Sequence, residues 1–258
     1  MSHATAGAAP AARPTRVQLL VTCLVDSLFP DVGFSVVNVL ERLGVQVDVP
    51  AGQTCCGQPA FNAGSFDDAR AMARHLVDVF DRNDVPVVVP SGSCGDMVIH
   101  QAPALLADDP VYAERARKLA ARTHEFTAFL VDVLGVSDVG AVGHQRIAYH
   151  PACHGLRGLG LELQPGVLLE GVAGIERCPL DEEATCCGFG GLFSVKMSEI
   201  SGSLLARKIA CIERSGADTV VATDVSCLMH IAGGLHRKGS PVRVKHIAEV
   251  LAGAAEPT

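Results

Sequence analysis

The sequence predicts an α/β protein made of two tandem repeats, each with a parallel sheet and with cysteine loops at its strand ends. Two observations lead to this prediction: short apolar segments alternate with amphipathic ones, and one cysteine pattern occurs twice. Strands that alternate with helices indicate parallel sheets of Rossmann-like topology, because parallel strands need crossover connections. We expect the first repeat at residues 15–140 and the second at 141–254, with the boundary in the polar, Gly-containing stretch 136–144.

Within each repeat the elements follow from apolar runs and helical spacing. Short runs rich in Val and Ile predict buried strands, and longer amphipathic segments predict helices. Gly44 and Gly216 stand directly after two of these helices, where a glycine commonly ends a helix. The predicted strands are 17–22, 45–49, 85–90, 147–150 and 219–222, and the predicted helices are 35–43, 66–82 and 197–215.

The cysteine pattern recurs at an offset of about 130 residues. Each copy has one cysteine, then an adjacent pair followed by glycine, then a fourth cysteine after an apolar run. All of them lie at or just after predicted strand ends, which meet at the edge of an open α/β sheet where ligands bind. The two sets are Cys23, Cys55, Cys56 and Cys94, and Cys153, Cys186, Cys187 and Cys227.

Four thiolates are the usual ligand complement of an iron–sulfur cluster. Adjacent cysteines do not readily chelate one small ion, but they can serve two irons of a cluster, so the pattern favours a cluster over one zinc. We predict one or two clusters, of [4Fe–4S] type, held by these eight cysteines; a zinc-binding scaffold is the non-redox alternative. Gly57 and Gly188 permit tight turns beside the pairs and free backbone N–H groups for sulfur.

The remaining cysteines and the nearby histidines have weaker signals. Cys178 and Cys211 have no counterpart in the other repeat, and we interpret them as buried thiols. His150 and His154 flank Cys153, and His230 stands three residues after Cys227. We interpret all three histidines as surface or outer-sphere residues, with His230 kept open as a nitrogen ligand.

Composition excludes several classes of function. The chain has 258 residues with 21 basic and 28 acidic side chains, a net charge of −7 that disfavours nucleic-acid binding. Residues 1–14 are rich in Ala, Gly and Pro, lack the features of a signal peptide and predict a disordered arm. Apolar runs are too short for a transmembrane helix. In a reducing cytoplasm, the expected location, ten cysteines indicate metal or redox chemistry rather than disulfides.

The doubled pattern resembles the cysteine-rich CCG domain family, and within it the short two-repeat LutA group (also called YkgE or LldE) of bacterial lactate utilisation. The resemblance covers nearly the whole chain after the N-terminal arm. It is carried by residues 55–62, 150–153, 185–197, 224–228 and 246–251, of which the run Thr-Cys-Cys-Gly-Phe-Gly-Gly-Leu-Phe-Ser-Val-Lys-Met is the most specific.

The resemblance implies an iron–sulfur electron-transfer subunit of a complex that oxidises L-lactate to pyruvate, an oxidoreductase subunit active only with LutB-like and LutC-like partners. No catalytic residue is predicted. Fuller CCG repeats have a fifth cysteine where this chain has Met97 and His230, which disfavours the noncubane cluster of the HdrB-type subunit. An HdrB-like thiol or disulfide reductase and a glycolate oxidase iron–sulfur subunit remain the alternatives.

Overall fold

The computed structural model describes residues 13–253, so almost all of the predicted N-terminal arm lies outside the described residues. The first repeat begins with a buried strand and alternates strands with helices. Its elements are β1 (Arg16–Leu19), α1 (Cys23–Leu28), α2 (Pro30–Arg42), β2 (Gln46–Asp48), α3 (Gln58–Asn62), α4 (Phe66–Phe80), β3 (Val87–Val89), α5 (Gly92–Asp96), a π-helical turn (Met97–Gln101), α6 (Ala102–Leu105), α7 (Ala113–Ala121), β4 (Thr123–Glu125), α8 (Phe126–Ala128) and a second π-helical turn (Phe129–Val133).

The second repeat has the same order of strands, with longer helices in its second half. Its elements are β5 (Arg146–His150), a π-helical turn (His154–Gly158), α9 (Gln164–Glu170), β6 (Glu176–Arg177), α10 (Leu192–Lys196), α11 (Ser198–Ser215), β7 (Thr219–Ala222), α12 (Val225–Lys238), β8 (Arg243–His246) and α13 (Ile247–Ala252).

Each repeat forms a four-stranded parallel sheet, and the two sheets have equivalent strand orders. The orders are β2-β1-β3-β4 and β6-β5-β7-β8, with every pairing parallel. The predicted fold class is therefore confirmed. In each sheet the chain reverses its direction of winding between the first strand and the third, and such a switch point is where α/β sheets bind ligands.

The two sheets share one apolar core, and each has a second core on its outer face. Val88 of the central strand β3 faces the shared core, whereas Val87 and Val89 face the outer one, as the alternation of side chains along a strand requires. The shared core also contains residues of α2 and α13, and the Arg42 side chain at the end of α2 donates to the carbonyls of Leu251 and Ala252. The repeats are thus joined by a continuous hydrophobic interior.

The helices differ from the predicted ones mainly at their ends. The α2 helix begins at Pro30 rather than at residue 35, since proline is well suited to the first turn. The α11 helix ends as predicted, at Gly216 with φ 69°. Three of the cysteines predicted in loops lie in helices instead: Cys23 in α1, Cys94 in α5 and Cys227 in α12. Within residues 13–253, no helix combines the length and apolarity needed to cross a membrane.

Candidate metal centre between the repeats

All eight predicted ligand cysteines line a single cavity of about 310 Å³. The single cysteines lie on elements that follow strand ends. In the first repeat Cys23 is in α1 and Cys94 is in α5; in the second, Cys153 directly precedes the π-helical turn and Cys227 is in α12. The adjacent pairs come from the connections after β2 and β6. The fold therefore brings residues separated by as much as the span from Cys23 to Cys227 to one place.

In the first set, one thiol pair is in direct contact and the pKa of one cysteine is lowered by its neighbours. The Sγ atoms of Cys56 and Cys94 lie 3.4 Å apart. Hydrogen bonds from the thiols of Cys23 and Cys56 lower the pKa of Cys55, and the same bonds raise the pKa of each donor. A thiolate is the form of cysteine that binds metal, so this set is electrostatically prepared for a soft cation.

The second set repeats this arrangement. Hydrogen bonds from Cys153 and Cys187 lower the pKa of Cys186, while the pKa values of the two donors are raised. The backbone N–H of Gly188 donates to the Cys186 Sγ over 3.3 Å. Gly188 has φ 91°, and a Cβ there would lie 2.6 Å from the Ser201 carbonyl oxygen, so this turn requires glycine.

The two cysteine sets are tied together by the N-caps of the helices that carry their fourth members. Ser91 caps α5 by accepting from the Cys94 N–H over 3.2 Å, and Asp224 caps α12 through the Ser226 N–H over 3.0 Å. The two caps also bond to each other: Ser91 Oγ donates to Asp224 Oδ2 over 3.0 Å, and the Ser93 N–H donates to the same oxygen over 3.0 Å. Because these groups are buried, they fix the separation of the two sets.

A histidine–carboxylate bridge also crosses between the repeats. Asp96 in α5 lies 2.8 Å from His100 Nδ1 through Oδ1 and 2.8 Å from His154 Nδ1 through Oδ2. His154 is also among the residues that line the cavity, so this bridge links the cavity wall in the second repeat to α5 of the first. Sequence reasoning missed Asp96, because it has no motif of its own and its partner lies in the other repeat.

The structure separates the three histidines that the sequence places near the second set. His150 is fully buried, and that burial lowers its pKa to about 4. A ring nitrogen of His150 and the Sγ atoms of Cys187 and Cys227 all lie within 4.8 Å of one another. His230 instead packs on Phe189, with 5.7 Å between ring centroids.

The two unmatched cysteines lie away from the cavity. Cys178 and Cys211 are buried in the outer core of the second repeat, and neither is among the residues that line the cavity in the described part of the chain. The Arg214 guanidinium lies 3.2 Å from the Cys211 Sγ. Their positions agree with the interpretation of both as buried thiols.

A family model described as "Cysteine-rich domain" (CCG) matches residues 17–99 and 147–232, one segment in each repeat. The chain belongs to the CCG cysteine-rich domain family. The CCG repeats are thus the two sheets with their cysteine sets. Among similar proteins is Lactate utilization protein A of Exiguobacterium sp., 48% identical over 236 residues that span 91% of this chain and 96% of the relative. Lactate utilization protein A of Bacillus subtilis is 47% identical, with 92% and 98% covered.

A solved structure, that of an aspartate racemase homologue from Pyrococcus horikoshii, covers 93% of this chain and 96% of its own with a TM-score of 0.31 at 10% identity.

The donor set of the cavity fits a soft metal group. Each set offers four sulfur atoms, one of them on a cysteine whose pKa its neighbours lower, and a glycine turn beside the cysteine pair. Sulfur ligands select iron–sulfur clusters or zinc rather than hard cations, which prefer oxygen. The residues present therefore fit a soft metal ion or an iron–sulfur cluster.

Proposed function

We propose that this chain is the iron–sulfur electron-transfer subunit of a complex that oxidises L-lactate to pyruvate. The observation that carries the proposal is that two equivalent sets of four cysteines, one from each repeat, line the same cavity. Eight thiols around one space are far more than a single zinc ion needs, and they match the ligand demand of two clusters. The relatives named Lactate utilization protein A support the choice of substrate.

The residues that would hold the clusters are Cys23, Cys55, Cys56 and Cys94 in the first repeat and Cys153, Cys186, Cys187 and Cys227 in the second. Bound clusters supply one-electron transfer. The chain's own contribution is to hold the thiolates, to keep the two sets at a fixed distance through Ser91 and Asp224, and to surround the sulfur with buried apolar side chains.

Partner subunits, LutB-like and LutC-like, would complete the complex. Three exposed apolar side chains lie near one another in the sequence after the second cysteine pair. Val195 in α10 is 75% exposed, Met197 at the end of that helix is 52% exposed, and Ile200 in early α11 is 55% exposed. Apolar side chains clustered in this way on a soluble protein are typical of interaction sites. We assign this surface to the partner subunit, because a partner bound there would lie beside the cavity that holds the second cysteine set.

The decisive experiment is a reconstituted assay with L-lactate and an artificial electron acceptor. We expect no turnover from the pure, anaerobically prepared chain and turnover after addition of both partners. Ile200→Asp should reduce the coupled rate about tenfold or more while iron and sulfide contents stay unchanged, since burying a charge in an interface is costly. Val111→Asp is the matched control, because Val111 is 61% exposed in the first repeat and lies outside the cavity lining.

Strong turnover by the chain alone would contradict the electron-transfer role. An absence of turnover even with both partners would contradict lactate as the substrate.

One observation favours a second candidate, a thiol or disulfide reductase of HdrB type. The cavity between the two cysteine sets has a volume of about 310 Å³, enough for a small substrate, and its lining includes His154, which is held by Asp96. Reduction of a small disulfide by the reduced, metal-loaded chain, without partners, would support this candidate over the first.

A further inference from the structure

The second cysteine set contains a nitrogen group that the first set lacks. His150 is the last residue of β5, three residues before Cys153, and it is 0% exposed. The residue at the same distance before Cys23 is Leu20, which is also buried and packs in one apolar cluster with Cys56 and Cys94. The repeats therefore place a leucine and a histidine at the same site beside their cysteines.

The imidazole of His150 makes no hydrogen bond of good geometry in the described chain, although a backbone group of Glu183 lies near enough to act on its pKa. Both ring nitrogens are buried without a donor or acceptor in bonding geometry. Buried polar groups are nearly always paired, because an unpaired one loses its hydration without compensation. At most one ring nitrogen is weakly paired, to the Glu183 backbone, and the other has no partner among residues 13–253, an exception that needs a physical reason.

The surroundings of the ring supply that reason. One ring nitrogen and the Sγ atoms of two buried cysteines, Cys187 and Cys227, lie within 4.8 Å of one another. These three atoms surround a point that one metal ion can occupy. Imidazole nitrogen together with thiolate sulfur is a common donor set for iron and zinc.

The neighbouring candidate, His230, is placed differently. It lies in α12, its Nε2 is 3.4 Å from the Ser201 Oγ, and its ring packs on Phe189. The group of closely spaced donors found among residues 13–253 contains His150 and does not contain His230.

We propose that His150 is a nitrogen ligand of the metal centre in the second repeat, bound together with Cys187 and Cys227. The second centre is thereby chemically distinct from the first, where Leu20 offers no donor. This inference rests only on the metal-binding part of the proposed function and not on lactate as substrate.

The test uses the full-length protein, labelled with ¹⁵N-histidine, purified without air and reduced. Pulsed EPR should detect a strongly coupled histidine nitrogen in the wild type and in His230→Leu, and that coupling should be lost in His150→Leu. Leucine is the residue of the first repeat at this site, so the fold should tolerate it. A coupling that survives in His150→Leu, or one that is absent from a cluster-loaded wild type, would overturn the proposal.

A second variant keeps the test valid where His150→Leu does not fold. His150→Cys replaces the nitrogen with a thiolate, and we expect it to retain iron and sulfide, to lose the nitrogen coupling and to lower the reduction potential of one centre. The direction follows because histidine in place of cysteine raises cluster potentials. An unchanged potential for both centres would contradict the assignment.

Preparations without iron or sulfide would contradict the iron–sulfur function. Whether His150 binds a metal ion could then still be tested with Co²⁺. Anaerobic titration of the metal-free protein with Co²⁺ should then show about tenfold or greater loss of affinity in His150→Leu and none in His230→Leu. Equal affinities of wild type and His150→Leu would overturn the proposal independently of cluster content.

Discussion

Gly92 lies where the two repeats meet backbone to backbone, and its replacement tests whether that contact sets the cavity. A Cβ at residue 92 would lie 2.7 Å from the nitrogen and 2.8 Å from the Cα of Gly155, in the π-helical turn of the second repeat. Backbone atoms cannot move aside by changing rotamer, so Gly92→Ala must push α5, which carries Cys94, away from that turn. Overpacking of this kind costs about 3 kcal/mol at the upper end of its usual range.

Alanine also favours the helical state over glycine by about 1 kcal/mol, which leaves a net loss of about 2 kcal/mol. For a chain of this size we expect a fall in Tm of about 4–8 °C, measured by circular dichroism without air. Gly202→Ala is the control, because a Cβ at this position in α11 would meet no atom within 4 Å. It should raise Tm by about 2–4 °C. A Gly92→Ala protein as stable as the wild type would refute the reasoning.

Two further predictions concern ligands and pH. Cys187→Ser should lose the iron and sulfide of the second repeat, whereas Cys178→Ser, outside the cavity lining, should keep them; equal bleaching of both variants would show that the repeat alignment is wrong. Burial raises the pKa of Glu125 to about 7 from 4.5. Between these two pH values the folded protein keeps a proton that the unfolded chain has released. The free energy of unfolding therefore falls by about 3 kcal/mol in total as pH rises through 7. Glu125→Gln should flatten the decline in urea-unfolding free energy between about pH 5 and pH 8; an unchanged slope would rule out Glu125 as its source.

The sequence allowed prediction of the sheets and of the doubled cysteine pattern because both are local or periodic signals. Strand runs such as 219–222 are recognisable from composition alone, and the repeat offset aligns the cysteines without any structure. The helical position of Cys94 was missed because α5 is short and contains Gly92 and Gly95, and glycine is more typical of turns than of helices. The capping serine at its start is evident only when the backbone is seen.

Contacts between the repeats could not be predicted in the same way. The bond between Ser91 and Asp224 joins residues 133 positions apart, and each residue alone is an ordinary helix cap. His150 was interpreted as a surface or outer-sphere residue, and the surface alternative is wrong because the side chain is 0% exposed. Its burial results from contacts that form only in the folded protein, and no short sequence pattern indicates it.

The repeats share a scaffold, but the surroundings of their sulfur atoms differ, and under the proposed function this difference would set the direction of electron flow. Beside the first set stand Leu20 and Met97, both buried and apolar. Beside the second set stands His150, and the exposed apolar surface at Val195 follows directly. Since nitrogen ligation raises cluster potentials, a second centre ligated by His150 would be the better electron acceptor. If the proposed function and the assignment of His150 both hold, the duplicated fold would hold two neighbouring centres of unequal potential, and electrons would move preferentially from the first repeat towards the second.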